Sequence, residues 1–284
     1  MSAVAKSVAN EKQIAMADGT TLHLRWTMAP NAKGTVLVVH GIGEHGGRYK
    51  NVEDALVPAG WNVFTYDHRG HGRSTGRRTH VDRFDVYADD LQRVFDDVQS
   101  LAGKGKIFVW GHSMGGLITT IWAGLRRPAV WGAILVAPPY RIAVPVPKAK
   151  ILAAKILSNI VPTLALANEV DPSWLARDPA VGRAYATDAL VERKATVRWG
   201  AEFLAAIDRV NARASEVQVP YLLLHGTGDK ITSSEGSKAF HAKTASSDKT
   251  LTIYDGFFHE LHNEPEGERA RVFADVIAWL DKRA

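Results

Sequence analysis

Val109-Trp110-Gly111-His112-Ser113-Met114-Gly115-Gly116 is the stretch against which the rest of this 284-residue chain can be placed. It carries G-x-S-x-G between an apolar run, Ile107 to Trp110, that reads as a strand and an apolar-periodic run, Met114 to Leu125, that reads as a helix. A chain that leaves a strand and enters a helix across one serine must turn sharply. Ser113 is therefore expected in a strained backbone geometry with its hydroxyl above the sheet edge. Side chains at Gly111 or Gly115 would collide with the neighbouring strand and helix. The helix N-terminus adds unpaired N–H groups and a positive dipole end, suited to the negative charge that develops during acyl transfer. The plain alternative is a Gly-rich turn with a bystander serine, and the strand and helix on either side argue against it.

Upstream of this turn, Ile14 to Thr27 reads as a hairpin: Leu22, Leu24 and Trp26 alternate with polar neighbours, and Ala17-Asp18-Gly19 has turn chemistry. Thr35 to Val39 is continuous and β-branched, as in a strand buried on both faces. It runs into His40-Gly41-Ile42-Gly43-Glu44-His45-Gly46-Gly47-Arg48-Tyr49, a loop without the lysine and spacing of a phosphate cradle. Its better use is an oxyanion pocket, with Ile42 N–H and Met114 N–H as the two donors. A helix from Tyr49 to Ala59 then leads to a second buried strand, Trp61 to Tyr66, and to Asp67-His68-Arg69-Gly70-His71-Gly72, read as a rigid turn that braces the first loop. Histidines 40, 45, 68 and 71 lack H-x-x-x-H or H-E-x-x-H spacing, so no metal site is expected. Val86 to Leu101 has helical periodicity, with Leu91, Val94, Phe95 and Val98 on one face and acids on the other.

Downstream, Trp131 to Ala137 is another apolar strand. Strands and helices alternate to this point, which implies an α/β fold with a mostly parallel sheet and helices on both faces. From 140 to 217 the alternation stops, and helical stretches at Pro147 to Ile160 and Leu190 to Val210 read as a lid over the strand ends. The expected organisation is a core of residues 1–139 and 218–284 interrupted by a helical lid insertion, 140–217. In the first lid helix Lys148, Lys150 and Lys155 accompany Ile151, Leu152, Ile156 and Ile160, a pattern fit for transient contact with a membrane surface or for ordinary packing. The sheet resumes at Val219 to Gly226 and at Thr250 to Tyr254. Asp229 and His259 then fall, like Ser113, just past strand ends. Three groups at one sheet edge in the order Ser, Asp, His form a catalytic triad. Asp255 is the rival acid, but it lies too close in sequence to His259 to reach the far imidazole nitrogen without a sharp fold-back.

Composition narrows the field. The chain is 46% hydrophobic and 23% charged with a net charge of +5, and its basic residues are interleaved with acids, which argues against nucleic acid as a partner. The absence of cysteine excludes disulfides and thiolate metal sites. Met1 to Gln13 lacks the apolar core of a signal peptide, and no apolar run approaches a membrane span, so a cytoplasmic protein, at most peripheral at a membrane, is expected.

Together, His40-Gly41-Ile42-Gly43-Glu44-His45, Asp67-His68-Arg69-Gly70-His71-Gly72, Gly111-His112-Ser113-Met114-Gly115-Gly116 and His259 make the chain resemble the monoacylglycerol lipase family of the α/β-hydrolase superfamily. The resemblance extends to Arg177-Asp178-Pro179 and Tyr185-Ala186-Thr187-Asp188, with Ala189 where the family usually has proline. It implies a cofactor-free serine hydrolase acting on a lipid ester, most simply monoacylglycerol cleaved to fatty acid and glycerol. It also implies that Glu44, Arg48 and His262 hold the glycerol moiety and that Tyr185 lines the same pocket. A lysophospholipase, a broad carboxylesterase and a non-catalytic lipid-binding member of the fold are the alternatives.

Overall fold

The computed structural model describes residues 10–103, 105–143, 148–168 and 170–284, with the backbone alone for 148–153. The runs of β-branched and aromatic residues become strands β1 (Asn10–Ala15), β2 (Thr21–Thr27), β3 (Gly34–Val39), β4 (Trp61–Tyr66), β5 (Ile107–His112) and β6 (Gly132–Val136). After a long insertion follow β9 (Tyr221–Gly226) and β10 (Lys249–Tyr254). Among the described residues these form one eight-stranded sheet in the order β1-β2-β4-β3-β5-β6-β9-β10. Only β1 on β2 and β2 on β4 are antiparallel, and the other pairings are parallel.

Burial explains the strand sequences. Every residue of β3, β4, β5 and β9 is buried, because parallel strands joined by crossover helices are covered on both faces. Alternate side chains serve two cores. Leu37, Val39, Val109, Leu135 and Leu223 face one, with Leu91, Val94 and Phe95 of α2 (Val86–Ala102). Val36, Val38, Trp110, Ile134 and Leu222 face the other, with Val52 of α1 (Lys50–Leu56) and Val276 of α8 (Glu266–Asp281).

The expected hairpin is present, but His23 is buried along with Leu22 and Leu24, since β2 sits between β1 and β4 rather than at an edge. The acids of α2 are not all on its outer face either. Asp90 is fully buried and held by two Arg69 nitrogens, each at 2.6 Å. The elbow helix is α3 (Met114–Thr119) continued as a π-helical turn, Thr120–Arg126. Thr120 donates its hydroxyl back to Gly116 O at 2.8 Å and lies 2.7 Å from Tyr140 Oη, the kind of side-chain bond that loosens a helical ladder.

Between β6 and β9 lie α4 (Lys148–Ile160), β7 (Ala165–Ala167), α5 (Pro179–Thr187), β8 (Lys194–Thr196) and α6 (Val197–Ala212). The helix expected from Leu190 starts at Val197, because Leu190 N–H is taken by Asp188 Oδ1 at 2.8 Å and residues 194–196 pair with β7 as an antiparallel ribbon. Thr196 caps α6 by accepting from Trp199 N–H at 3.2 Å, and Asp178 caps α5 from Ala180 N–H at 2.8 Å. Trp199, Ala206, Ile207 and Val210 join the same core as α2, so α6 is anchored on the body of the protein. No described helix is long and apolar enough to cross a membrane. Finally, α7 (Ser234–Lys243) connects β9 to β10.

Candidate active site

Ser113 has φ 51° and ψ −121°, a left-handed conformation that a side chain adopts only under constraint. The constraint is visible on both sides. Ser113 N–H donates to Val136 O of β6 at 2.9 Å, and its carbonyl accepts from Gly116 N–H at 2.8 Å to open α3. A Cβ on Gly111 would stand 2.4 Å from Thr119 Oγ1, and one on Gly115 only 2.0 Å from Val39 O. Both glycines are thus required by close approach rather than by their own dihedral angles.

Ser113 opens onto a cavity of about 30 Å³ bordered by Gly41, Ile42, Glu44, His112, Val170, Leu175, Tyr185, Ile231, His259 and Glu260. His259, 3% exposed, points its Nδ1 at Asp229 Oδ2, 2.7 Å away, and the acceptor-only carboxylate makes the ring the donor. Asp229 is itself fixed: Oδ1 accepts from Ile231 N–H at 2.8 Å and Thr232 N–H at 2.9 Å, and Oδ2 from the Thr232 hydroxyl at 2.8 Å. Burial pushes the Asp229 carboxyl up, but the charge of His259 and the hydrogen bonds of His225 and His259 outweigh it and hold the group far below the usual carboxylate range. The rival Asp255 is exposed and accepts from the Thr227 hydroxyl at 2.8 Å.

The loop after β3 is held as a rigid arch. His40 Nε2 accepts from His68 N–H at 2.9 Å, so the ring proton sits on Nδ1, which donates to Gly41 O at 2.7 Å. That carbonyl and Ile42 N–H belong to one planar trans peptide and point opposite ways. Gly41 N–H is bound by Glu44 Oε1 at 2.6 Å. Gly41 is therefore held through both its N–H and its carbonyl, and neither the Ile42 amide nor Met114 N–H finds a protein acceptor among the described residues. The second loop braces the first as expected: His68 Nε2 donates to His40 O at 3.0 Å, and Asp67 Oδ1 accepts from Gly46 N–H at 2.8 Å. His40, His68 and His71 form a buried cluster of tilted and edge-on rings. Burial lowers all three pKa values, His68 to about 3, so they serve as neutral struts.

The polar residues expected near the head group separate into two layers. Glu44 and Tyr185 border the cavity, whereas Arg48 and His262 stand behind it. Arg48 Nη2 donates to both oxygens of Glu260 at 2.9 Å, with Nη1 3.7 Å from Glu44 Oε2, and its guanidinium lies 4.8 Å above the Tyr185 ring. His262 is fully buried and stacked on Tyr49, ring centres 4.8 Å apart, with neither nitrogen bonded. Burial, then the charge of His112, push its pKa well down. Neither Arg48, bound to Glu260, nor His262, stacked on Tyr49, lines the cavity. Glu44 Oε1 also accepts from Tyr49 Oη at 2.7 Å. Burial raises the Glu44 pKa, yet the His112 hydrogen bond and the Arg48 charge drive it well below normal.

Sequence reading overlooked three residues that shape the site. His112 borders the cavity, with Nδ1 2.9 Å from Tyr49 Oη and 3.2 Å from Glu44 Oε1. Glu260 ties the His259 loop to the insertion, its N–H donating to Leu175 O at 2.6 Å. Glu264, fully buried, accepts from Phe258 N–H at 2.5 Å and from Arg177 Nε at 3.0 Å, clamping the other side of His259. The only signal for the two glutamates was adjacency to His259 in a chain where buried carboxylates need partners. A larger groove of about 520 Å³, lined by Pro172, Arg177, Gly182 and Phe258 among others, contains neither Ser113 nor His259. Among the described residues no group of His, Cys, Asp and Glu is arranged to hold a metal ion.

Against this geometry the comparisons are consistent. A family profile described as serine aminopeptidase, S33 matches residues 30–266. The chain is 35% identical over 271 residues to human monoglyceride lipase, covering 94% of this chain and 89% of that one. It is 32% identical over 257 residues to the monoacylglycerol lipase of Mycolicibacterium smegmatis, covering 90% of each. The crystal structure of Paleococcus ferrophilus monoacylglycerol lipase superposes with a TM-score of 0.82 at 31% identity, covering 93% of this chain and 99% of that one. In sequence and in fold, the chain belongs to the monoglyceride lipase family of the α/β-hydrolases and is a carboxylic ester hydrolase.

Proposed function

We propose that the protein hydrolyses monoacylglycerols to fatty acid and glycerol through an acyl-enzyme on Ser113. The observation that carries the reading is the strained Ser113 sharing one cavity with His259, whose far nitrogen is 2.7 Å from a buried, fully hydrogen-bonded Asp229. His259 Nε2 takes the Ser113 proton as Oγ attacks the ester carbonyl, and Asp229 stabilises the imidazolium. The oxyanion accepts from Ile42 and Met114 N–H, each donor contributing about 3 kcal/mol. His259 then protonates the departing glycerol oxygen, and a water, deprotonated by the same ring, releases the fatty acid. The chemistry needs no metal or organic cofactor.

Residues 140–217 act in this reading as a lid. A cavity of about 30 Å³ has room for little more than a water or two. An ester with an acyl chain enters when Val170, Leu175 and Tyr185, all from the insertion, swing away from Ser113. Glu44 and Tyr185, which line the cavity, then meet the glycerol hydroxyls, and Arg48 and His262 support them from behind. Ile156 at 51% and Ile160 at 70% exposure, with Leu166 at 52%, give the lid an apolar tip suited to a membrane surface. Ile151 and Leu152, expected on the same face, have side chains outside the described residues.

A fluorophosphonate probe should label Ser113 and stop turnover of a monoacylglycerol. Ser113→Ala should lose both label and turnover with an unchanged melting temperature, because it removes a nucleophile and not a packing group. Turnover that survives the substitution would exclude Ser113. Faster turnover of lysophosphatidylcholine, a p-nitrophenyl ester or an aminoacyl anilide would move the substrate class to a lysophospholipase, a broad esterase or the peptidase of the S33 description.

A further inference from the structure

The carboxylate that holds His259 is also approached by a second imidazole. His225, the last but one residue of β9, is fully buried, and its Nε2 lies 3.2 Å from Asp229 Oδ2, the same oxygen that His259 binds. The surroundings settle its tautomer. Nδ1 is 2.8 Å from the Ser237 hydroxyl of α7, whereas Nε2 also faces the Thr232 carbonyl at 3.3 Å. A carbonyl and a carboxylate can only accept, so Nε2 carries the proton and Ser237 donates to Nδ1. Ser237 is fully buried as well. The result is one continuous line, Ser237 to His225 to Asp229 to His259, ending at the cavity of Ser113.

We propose that His225 is a positioning residue that tunes the basicity of His259 through Asp229. The proposal rests on the triad reading above. A general base works best when its pKa lies near the working pH, and a buried carboxylate facing one imidazole alone would stabilise the imidazolium strongly. His259 and the Thr232 hydroxyl donate to Asp229 Oδ2, and the His225 N–H lies against the same oxygen at 3.2 Å while also bonding the Thr232 carbonyl at 3.3 Å and hydroxyl at 3.2 Å. The Thr232 hydroxyl and the His225 N–H both draw carboxylate charge away from His259. Removing the His225 N–H leaves a more basic oxygen, a better stabilised His259 cation and a ring that gives up its proton less readily to the leaving alcohol. The other titratable groups near His259 are His112, 4.9 Å away ring to ring, Glu260 beside it in the chain, and His262. None of them touches His225 Nε2.

The test uses the intact protein and a soluble short-chain ester. His225→Leu should lower kcat about tenfold, the worth of one hydrogen bond to a charged group, with KM unchanged. The acid limb of its kcat/KM profile should move to higher pH. His225→Gln, which restores an N–H at similar reach, should recover most of the rate and return the limb toward its original position. Ser237→Ala keeps the imidazole but frees its tautomer, and should shift the limb the same way by less, which protects the test if His225→Leu folds poorly. An acid limb that stays put in all three variants would overturn the proposal, as would a Gln variant no better than Leu. Failure of the triad itself would register separately, as loss of fluorophosphonate labelling at Ser113 in the unsubstituted protein.

Discussion

Ser113, Asp229 and His259 each depend on a different local device. The serine needs two glycines to let strand and helix approach, the aspartate needs the 229–232 turn to supply backbone donors, and the histidine needs Glu260 and Glu264 to pin its loop to the insertion. The choice of acid can be checked at this scale. Asp229→Asn should reduce kcat about 10⁴-fold, since an amide both removes the countercharge and favours the wrong imidazole tautomer. Asp255→Asn should leave kcat unchanged, because its carboxylate is exposed and bonded only to Thr227. The opposite ranking in steady-state kinetics would reassign the acid.

At the scale of elements, the insertion has a buried half and an exposed half. The body-facing half is fixed: α6 shares the main core, Glu192 N–H donates to Gly43 O at 2.7 Å, and His45 Nε2 is 2.9 Å from Asp188 Oδ2. The Gly43 contact explains the glycine, since a Cβ there, at φ +70°, would lie 2.4 Å from Glu192 O. The outer half, the end of α4 and the β7 ribbon, leaves Ile156, Ile160, Leu164 and Leu166 in solvent. If this tip docks on lipid, Ile156→Ser with Ile160→Ser should reduce turnover of long-chain monoacylglycerol in vesicles while sparing a soluble ester. Burial of each side chain contributes roughly 1.5 to 3 kcal/mol, enough to matter for a weak surface contact. Equal loss on both substrates, or vesicle cosedimentation unchanged by the pair, would make the tip an ordinary packing surface.

Across the whole molecule, neutral histidines and ionised carboxylates are buried around the site, and both oppose acid. Burial depresses the pKa of His40, His68, His71 and His262 below the ordinary 6.5. The unfolded chain therefore binds those protons first, and stability falls as pH drops from about 6.5, by up to about 1.4 kcal/mol per pH unit for each ring. Asp229 and Glu44 have pKa values lowered from 3.8 and 4.5, so their contribution is present above those values and is lost as pH falls through the lower folded ones. Calorimetry should show the melting temperature declining between pH 6.5 and 5, then more steeply below about 4.5. A flat melting temperature from pH 7 to 5 would show that the imidazoles take up protons without unfolding.

Much of this was legible before any coordinates. Apolar runs with β-branched residues and the glycine turns after them identify a parallel sheet with Ser113, Asp229 and His259 just past strand ends at one edge, because strand formation and turn chemistry act over a few neighbouring residues. The register of the π turn at Thr120, the start of α6 and the burial of His23 were not, since each is set by a partner far along the chain: Tyr140, β7 and β4. The same holds for His112, His225, Glu260 and Glu264. A buried polar side chain is tolerated only where folding brings a complementary group within about 3 Å. A linear sequence specifies those groups but does not reveal their pairing, so which glutamate clamps the His259 loop and which histidine reaches Asp229 were decided by tertiary structure alone.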